Sequence, residues 1–179
     1  VNLAKALATF YLALLAFLLL VLLPVALLAK VPIRAFVKAI AEPVSIAFAT
    51  TSSEAALPLA MERMEQFGVP RPIVSFILPL GYSFNLDGST LYLSLAAIFV
   101  AQAANVDLTV GQQITMLLTL MLTSKGVAGV PRASLVILAG TLASYNLPLE
   151  GITLILGVDA IMDMARTTVN VTGNCLASA

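Results

Sequence analysis

Thr50–Pro58 reads TTSSEAALP and Thr123–Pro131 reads TSKGVAGVP, two small, polar tips that each end in proline. Apolar arms flank both. The first tip lies within AIAEPVSIAFATTSSEAALPLAMERMEQ (39–66) and the second within TVGQQITMLLTLMLTSKGVAGVPRASLVILAGTLASY (109–145). An arm, a broken tip and a returning arm make a helical hairpin.

The rest of the chain says where such hairpins sit. Of its 179 residues 60% are hydrophobic and 10% charged, with a mean hydropathy of +1.04, whereas soluble domains carry about 25% charged residues. Ala6–Ala29, ALATFYLALLAFLLLVLLPVALLA, holds no charge. A membrane span needs about 20 apolar residues, and the apolar core of a signal peptide has only about 7–15. This run therefore spans, and the chain reads as an all-α membrane protein. Non-helical backbone at membrane depth survives where it faces protein or a cavity, so both tips are expected to be re-entrant.

Between the hairpins, IVSFILPLGYSF and LYLSLAAIFVAQAA are each short for a span, and NLDGS interrupts them. Five segments result: a span over 1–32, a hairpin over 33–72, an interrupted span over 73–106, a second hairpin over 107–148 and a polar helix over 149–179. Hairpin followed by interrupted span occurs twice. Lys30, Arg34, Lys38, Arg63 and Arg71 crowd the 30–72 region, whereas the connections at 105–108 and 145–151 hold Asp107 and Glu150 without Lys or Arg. Basic loops stay in the cytoplasm, with Lys5 a mild exception. The two units then have opposite orientation, an inverted repeat of the kind that places a site near the membrane midplane.

Net charge is zero, which argues against nucleic acid as a partner. Without histidine, and with Cys175 the single cysteine, neither a zinc site nor a Cys/His pair is available. The chain starts without methionine and stops just past a polar helix, so it is expected to be part of a longer protein.

DAIMDMARTTVNVTGN (159–174) is the polar exception. Asp159, Asp163, Arg166, Asn170 and Asn174 recur at intervals of three or four, which keeps them within roughly 80° around a helix. Ionisable residues in a membrane usually face the bundle interior and mark substrate or ion paths. A structural Asp163–Arg166 pair would account for two of the five, so a binding surface is the better reading. The glycosylation triplet at Asn170 lies on this face and is discounted. In NLDGS, Asn85, Asp87 and Ser89 offer oxygens suited to a small hard cation, and a water-plugged kink is the plainer alternative.

TSSEAALP, GYSFNLDGSTLY, TSKGVAGVP and DMARTTVNVTGN, in this order, resemble the glutamate and dicarboxylate:cation symporter family, which includes the excitatory amino-acid transporters. The resemblance covers nearly the whole chain as the C-terminal half of a member: transmembrane helix 6, hairpin 1, helix 7, hairpin 2 (the outer gate) and helix 8. It is nearest to the bacterial proton/glutamate symporters. It implies that Arg166 binds a substrate side-chain carboxylate and Asp163 the α-amino group. Asn170, Ser89 and the backbone around Ser53 would hold the α-carboxylate, with Thr167, Val130 and Ser134 lining the site. Gly81, Ser83, Asn85, Asp87 and the backbone of 124–127, from Ser124 on, match the cation positions of sodium-coupled relatives, with Asn170 and Asn174 beside them.

Departures from the family pattern bear on the driving ion. Asn174 stands for an aspartate of one sodium site, Leu86 for the methionine of the sodium motif, and Leu93 for a protonatable glutamate of animal relatives. Glu54 adds a tip carboxylate. The expected function is proton-coupled symport of L-glutamate or L-aspartate by alternating access, with Glu54 or Asp87 as proton carrier. The alternatives are sodium coupling, with sodium at Asn85 and Asp87, and carriage of a C4-dicarboxylate. No other cofactor is expected. Family members are trimers through an N-terminal scaffold, which implies a homotrimer in the bacterial inner membrane. Arg132 replaces a frequent glycine and has no functional account. An intramembrane aspartyl protease using Asp87 with Asp163 or Asp159 is the remote alternative: Arg166, one turn from Asp163, would hold that acid ionised, against the shared proton such a dyad needs.

Overall fold

A computed structural model describes residues 2–126 and 134–179, and within them the chain is all-helical, with no strand. The second tip beyond Gly126, and with it Val130, Gly129, Pro131, Arg132 and the backbone of Val127, lies outside the described residues.

Helix α1 (Leu3–Phe17) starts at Asn2, whose side chain caps the Ala4 and Lys5 N–H groups. It continues through a wide π turn, Leu18–Leu22, into α2 (Leu23–Leu28). Pro24 lacks the N–H that a regular helix would give to the Leu20 carbonyl, and the wider turn accommodates that loss. Among the described residues Leu3–Leu28 is one of two helical runs that are long and apolar enough to cross a membrane. The other is Arg71–Ala103, made of α5 (Arg71–Phe84) and α6 (Asp87–Ala103) and broken at Asn85 and Leu86, whose backbones leave helical geometry. Leu12, Leu20 and Leu28 on the first run and Phe76 on the second lie open on the outside, as a lipid-facing surface requires.

Helices α3 (Ile33–Thr50) and α4 (Ser53–Phe67) fold back on each other across Thr51 and Ser52. Thr51 sits in the left-handed region at φ 54°, an uncommon place for a β-branched residue. Side chains hold the turn: Thr50 donates to the Ile46 carbonyl at 2.7 Å, and Ser52 accepts the Ala55 N–H at 3.3 Å. Further along the arms, Arg63 of α4 pairs with Glu42 of α3 at 2.5 Å. Helix α7 (Val110–Thr123) opens with a capping box of Thr109 and Gln112 and ends in a 3-10 turn, Ser124–Gly126; α8 (Ser134–Ser144) packs against it.

The last helix, α9 (Gly151–Ser178), has 28 residues and is about 42 Å long at 1.5 Å per residue. The core forms two clusters, and α9 joins them. Ile155, Met162 and Val169 join a cluster with α1, α6, α7 and α8. Further along the helix, Val171, Cys175 and Leu176 join a cluster with α2, α3, α4 and α5. The polar face of α9 runs along the seam where the broken helix meets both.

Candidate functional site

Asp159, Asp163, Arg166, Asn170 and Asn174 are each no more than 3% exposed, so the helix turns its polar face inward, as the spacing predicts. The neighbour on that face is the broken helix. Gly88 makes the approach possible, because a Cβ there would overlap the Arg166 backbone carbonyl.

Arg166 is the centre of the charge. Its Nε donates to Asp163 Oδ1 at 2.8 Å, and Thr167 donates to the same oxygen at 3.3 Å. The guanidinium lies 4.2 Å above the centre of the Tyr92 ring, a cation–π contact strengthened by the burial of both side chains. The Tyr92 hydroxyl in turn donates to Asp159 Oδ1 at 2.7 Å. Arg166 Nη1 is buried and has no hydrogen-bond partner among the described residues. The guanidinium is thus fixed in place with part of its donor fork open.

Asn170 ties α9 to the start of α6. Its amide oxygen accepts from the Gly88 N–H at 2.8 Å and the Ser89 N–H at 3.3 Å, and its Nδ2 donates to Ser89 Oγ at 2.9 Å. The first N–H groups of a helix lack intrahelical partners, and here a distant side chain supplies one.

One turn further along α9 lies a cluster of two amides and an acid. With its amide nitrogen towards the acid, as the hydrogen-bond network requires, Asn85 donates to both Asp87 oxygens at 3.1 Å, and its oxygen lies 3.1 Å from the Asn174 amide. Gly81 and Gly173 make room: a Cβ on Gly81 would overlap the Asn174 amide oxygen, and one on Gly173 would press on Asp87 Oδ2. Carboxylate and amide oxygens so placed suit a small hard cation or a shared proton. Among the described residues no group of three acidic, Cys or His side chains gathers to hold a metal ion.

The other expected site residues divide. Ser53 is buried at the start of α4, which packs on α9, and Ser134 is buried at the start of α8, which packs on α6. Ser124 is buried and lies 3.4 Å from the Thr90 hydroxyl, which ties the end of α7 to the broken helix. Ser83 is half-buried. Glu54 is exposed in the first turn of α4, apart from the Asp87 cluster.

Two residues enter the site without having been singled out from the sequence. Tyr92 follows Ser89 by three residues, so helical spacing from Ser89 would have found it. Lys125 is the lone Lys or Arg between Arg71 and Arg132, and that isolation was the available signal. Its Nζ donates to the Phe84 carbonyl at 2.5 Å.

Comparison with known proteins bears on what this arrangement serves. A protein of Bacillus subtilis (strain 168) named proton/sodium-glutamate symport protein is 50% identical over 178 residues, 99% of this chain and 42% of that protein. The proton/glutamate-aspartate symporter of Escherichia coli (strain K12) is 51% identical over 175 residues, 98% of this chain and 40% of the relative. A C4-dicarboxylate transport protein of Solibacter usitatus (strain Ellin6076) is 48% identical over 178 residues, 99% of this chain and 42% of the relative. The chain spans about two fifths of the length of these relatives. The family model for sodium:dicarboxylate symporters matches residues 1–179. With the buried charged face, the broken helix and every segment between them inside that match, the chain belongs to the sodium:dicarboxylate symporter family of membrane transporters.

Proposed function

We propose that this chain carries the substrate and ion sites of a secondary transporter that moves L-glutamate or L-aspartate together with protons by alternating access. The observation that carries the reading is the buried guanidinium of Arg166, held by Asp163 and Tyr92, with Nη1 unpartnered among the described residues. A buried donor without an acceptor is costly, and a carboxylate matches the planar fork. The substrate's side-chain carboxylate fills that place. Its ammonium takes Asp163, and Ser89, Thr167, Ser53 and Ser134 surround the remainder.

Asp163 separates the substrate classes. Relatives named for glutamate and for C4-dicarboxylates stand at nearly equal identity, but a C4-dicarboxylate has no ammonium to meet an acid. Asp87, set against the Asn85 and Asn174 amides, supports proton carriage, because Asn174 brings no negative charge for a metal cation. The sodium reading keeps one observation in its favour, the oxygens of Asn85, Asp87 and Asn174 at a single break. In this proposal the two hairpins are re-entrant, inverted gates in a bacterial inner-membrane homotrimer.

The test is the full-length carrier in proteoliposomes, with pH and sodium gradients imposed separately. Glutamate or aspartate should accumulate under an inward pH gradient without sodium and should exchange in counterflow at least about tenfold better than succinate. Preference for succinate would overturn the substrate, and uptake only with sodium would overturn the ion.

A further inference from the structure

The break at Asn85 leaves α5 ending at Phe84, with terminal carbonyls that lack intrahelical partners and carry about half a negative charge. A cation belonging to the protein already sits there. Lys125 Nζ donates to the Phe84 carbonyl oxygen at 2.5 Å. It reaches this point from the 3-10 turn after α7, which packs against α5.

The open carbonyl oxygens at a helix C-terminus attract a compact cation. Lysine's ammonium is itself such a cation, a point charge with three donors on a flexible stem. Placing it half-buried among apolar helices is unfavourable unless the charge is used.

We infer that Lys125 is a tethered cation: its ammonium fills the position that a free sodium ion would otherwise take at the end of α5. Lys125 thereby sets cation selectivity. The inference deepens the proposed proton-coupled carriage and rests on it for its role in transport. A bare helix cap is the competing role, since lysines often bond the last carbonyls of helices. Charge separates the two. Glutamine keeps an N–H donor for Phe84 but carries no charge, and arginine keeps both.

The experiment uses the full-length carrier as wild type, Lys125→Gln and Lys125→Arg, in sodium chloride or in choline chloride. Thermal unfolding without amino acid is the first readout, and glutamate uptake under a pH gradient is the second. Wild type and Lys125→Arg should unfold at one Tm in both salts and take up glutamate equally in both. Lys125→Gln should show a higher Tm in sodium than in choline. Its uptake in choline should fall about tenfold and return with sodium. If Lys125→Gln matches wild type in choline, the residue is only a cap and the inference fails. Equal impairment in both salts overturns it as well. Should Lys125→Gln not fold in choline, preparation in sodium decides: recovery supports the inference and continued failure overturns it. Wild type that carries neither glutamate nor aspartate in any salt would overturn the amino-acid reading instead. The sodium-specific Tm shift needs no substrate and stands or falls separately.

Discussion

The amide oxygen of Asn170 accepts the Gly88 N–H at 2.8 Å, so a side chain of α9 closes the open end of the second half of a broken helix. Leu86, at the cap position, has no side chain able to do so. Asn170 also donates to Ser89 Oγ. Loss of a cap costs about 0.5–2 kcal/mol, and leaving buried groups unpaired adds about 1–3 kcal/mol. Asn170→Ala should therefore destabilise the carrier by about 2–3 kcal/mol. Asn170→Asp keeps the acceptor and should lose less. Denaturation midpoints of the three proteins check this, and an unchanged midpoint in Asn170→Ala would show the cap to be idle.

Two glycines set how closely the broken helix meets α9, and they should respond differently to a methyl group. At Gly88 the obstacle is the Arg166 backbone, which cannot yield, so Gly88→Ala should cost about 3 kcal/mol or more. At Gly81 the obstacle is the tip of Asn174. Asn174→Ala should therefore relieve Gly81→Ala, with a favourable coupling of about 0.5–3 kcal/mol in a double-mutant cycle. If Gly81→Ala costs the same in both backgrounds, Asn174 is not what it meets.

What the sequence reveals here, and what it conceals, follows from distance along the chain. The inward face of α9 was legible because the 3.6-residue period places Asp159 through Asn174 on one stripe. The break was legible because NLDGS interrupts two apolar runs. The partners were not. Asn170 caps a helix that begins 83 residues earlier, and Lys125 reaches a carbonyl 41 residues away. Local pattern carries no trace of either. The π turn at Leu18–Leu22 is hidden in a uniform leucine run, where only Pro24 hints at it. Glu54 and Asp87 looked equivalent as lone acids, and the fold separates them by burial.

Arg166 holds its position through two different partners, the Asp163 carboxylate and the Tyr92 ring. Lysine has neither the planar fork nor the stacking surface. Arg166→Lys should therefore fail along with Arg166→Cys, each weakening binding of acidic amino acids by about 100-fold. In Arg166→Cys the preference should move towards neutral amino acids. Competition binding to the full-length carrier measures both effects. Unchanged glutamate affinity in either variant would remove Arg166 from the substrate site.

The proton carrier is the remaining choice, and burial favours Asp87. Glu54 stands exposed in the first turn of α4, where a negative charge is favoured beside the helix N-terminus and nothing calls for its neutralisation. Asp87 is half-buried, bonded through both oxygens to Asn85 and facing α9 at Gly173. Asparagine at position 87 would join Asn85 and Asn174 as a third amide and leave the break without an acid. Asp87→Asn should lose accumulation of glutamate under a pH gradient while retaining homoexchange, which needs no net proton movement. Glu54→Gln should keep both within about twofold, as surface substitutions usually do. Concentrative uptake and exchange, measured side by side in sodium-free proteoliposomes, separate the two acids. If Glu54→Gln abolishes accumulation and Asp87→Asn spares it, the proton travels with the hairpin tip and not with the broken helix.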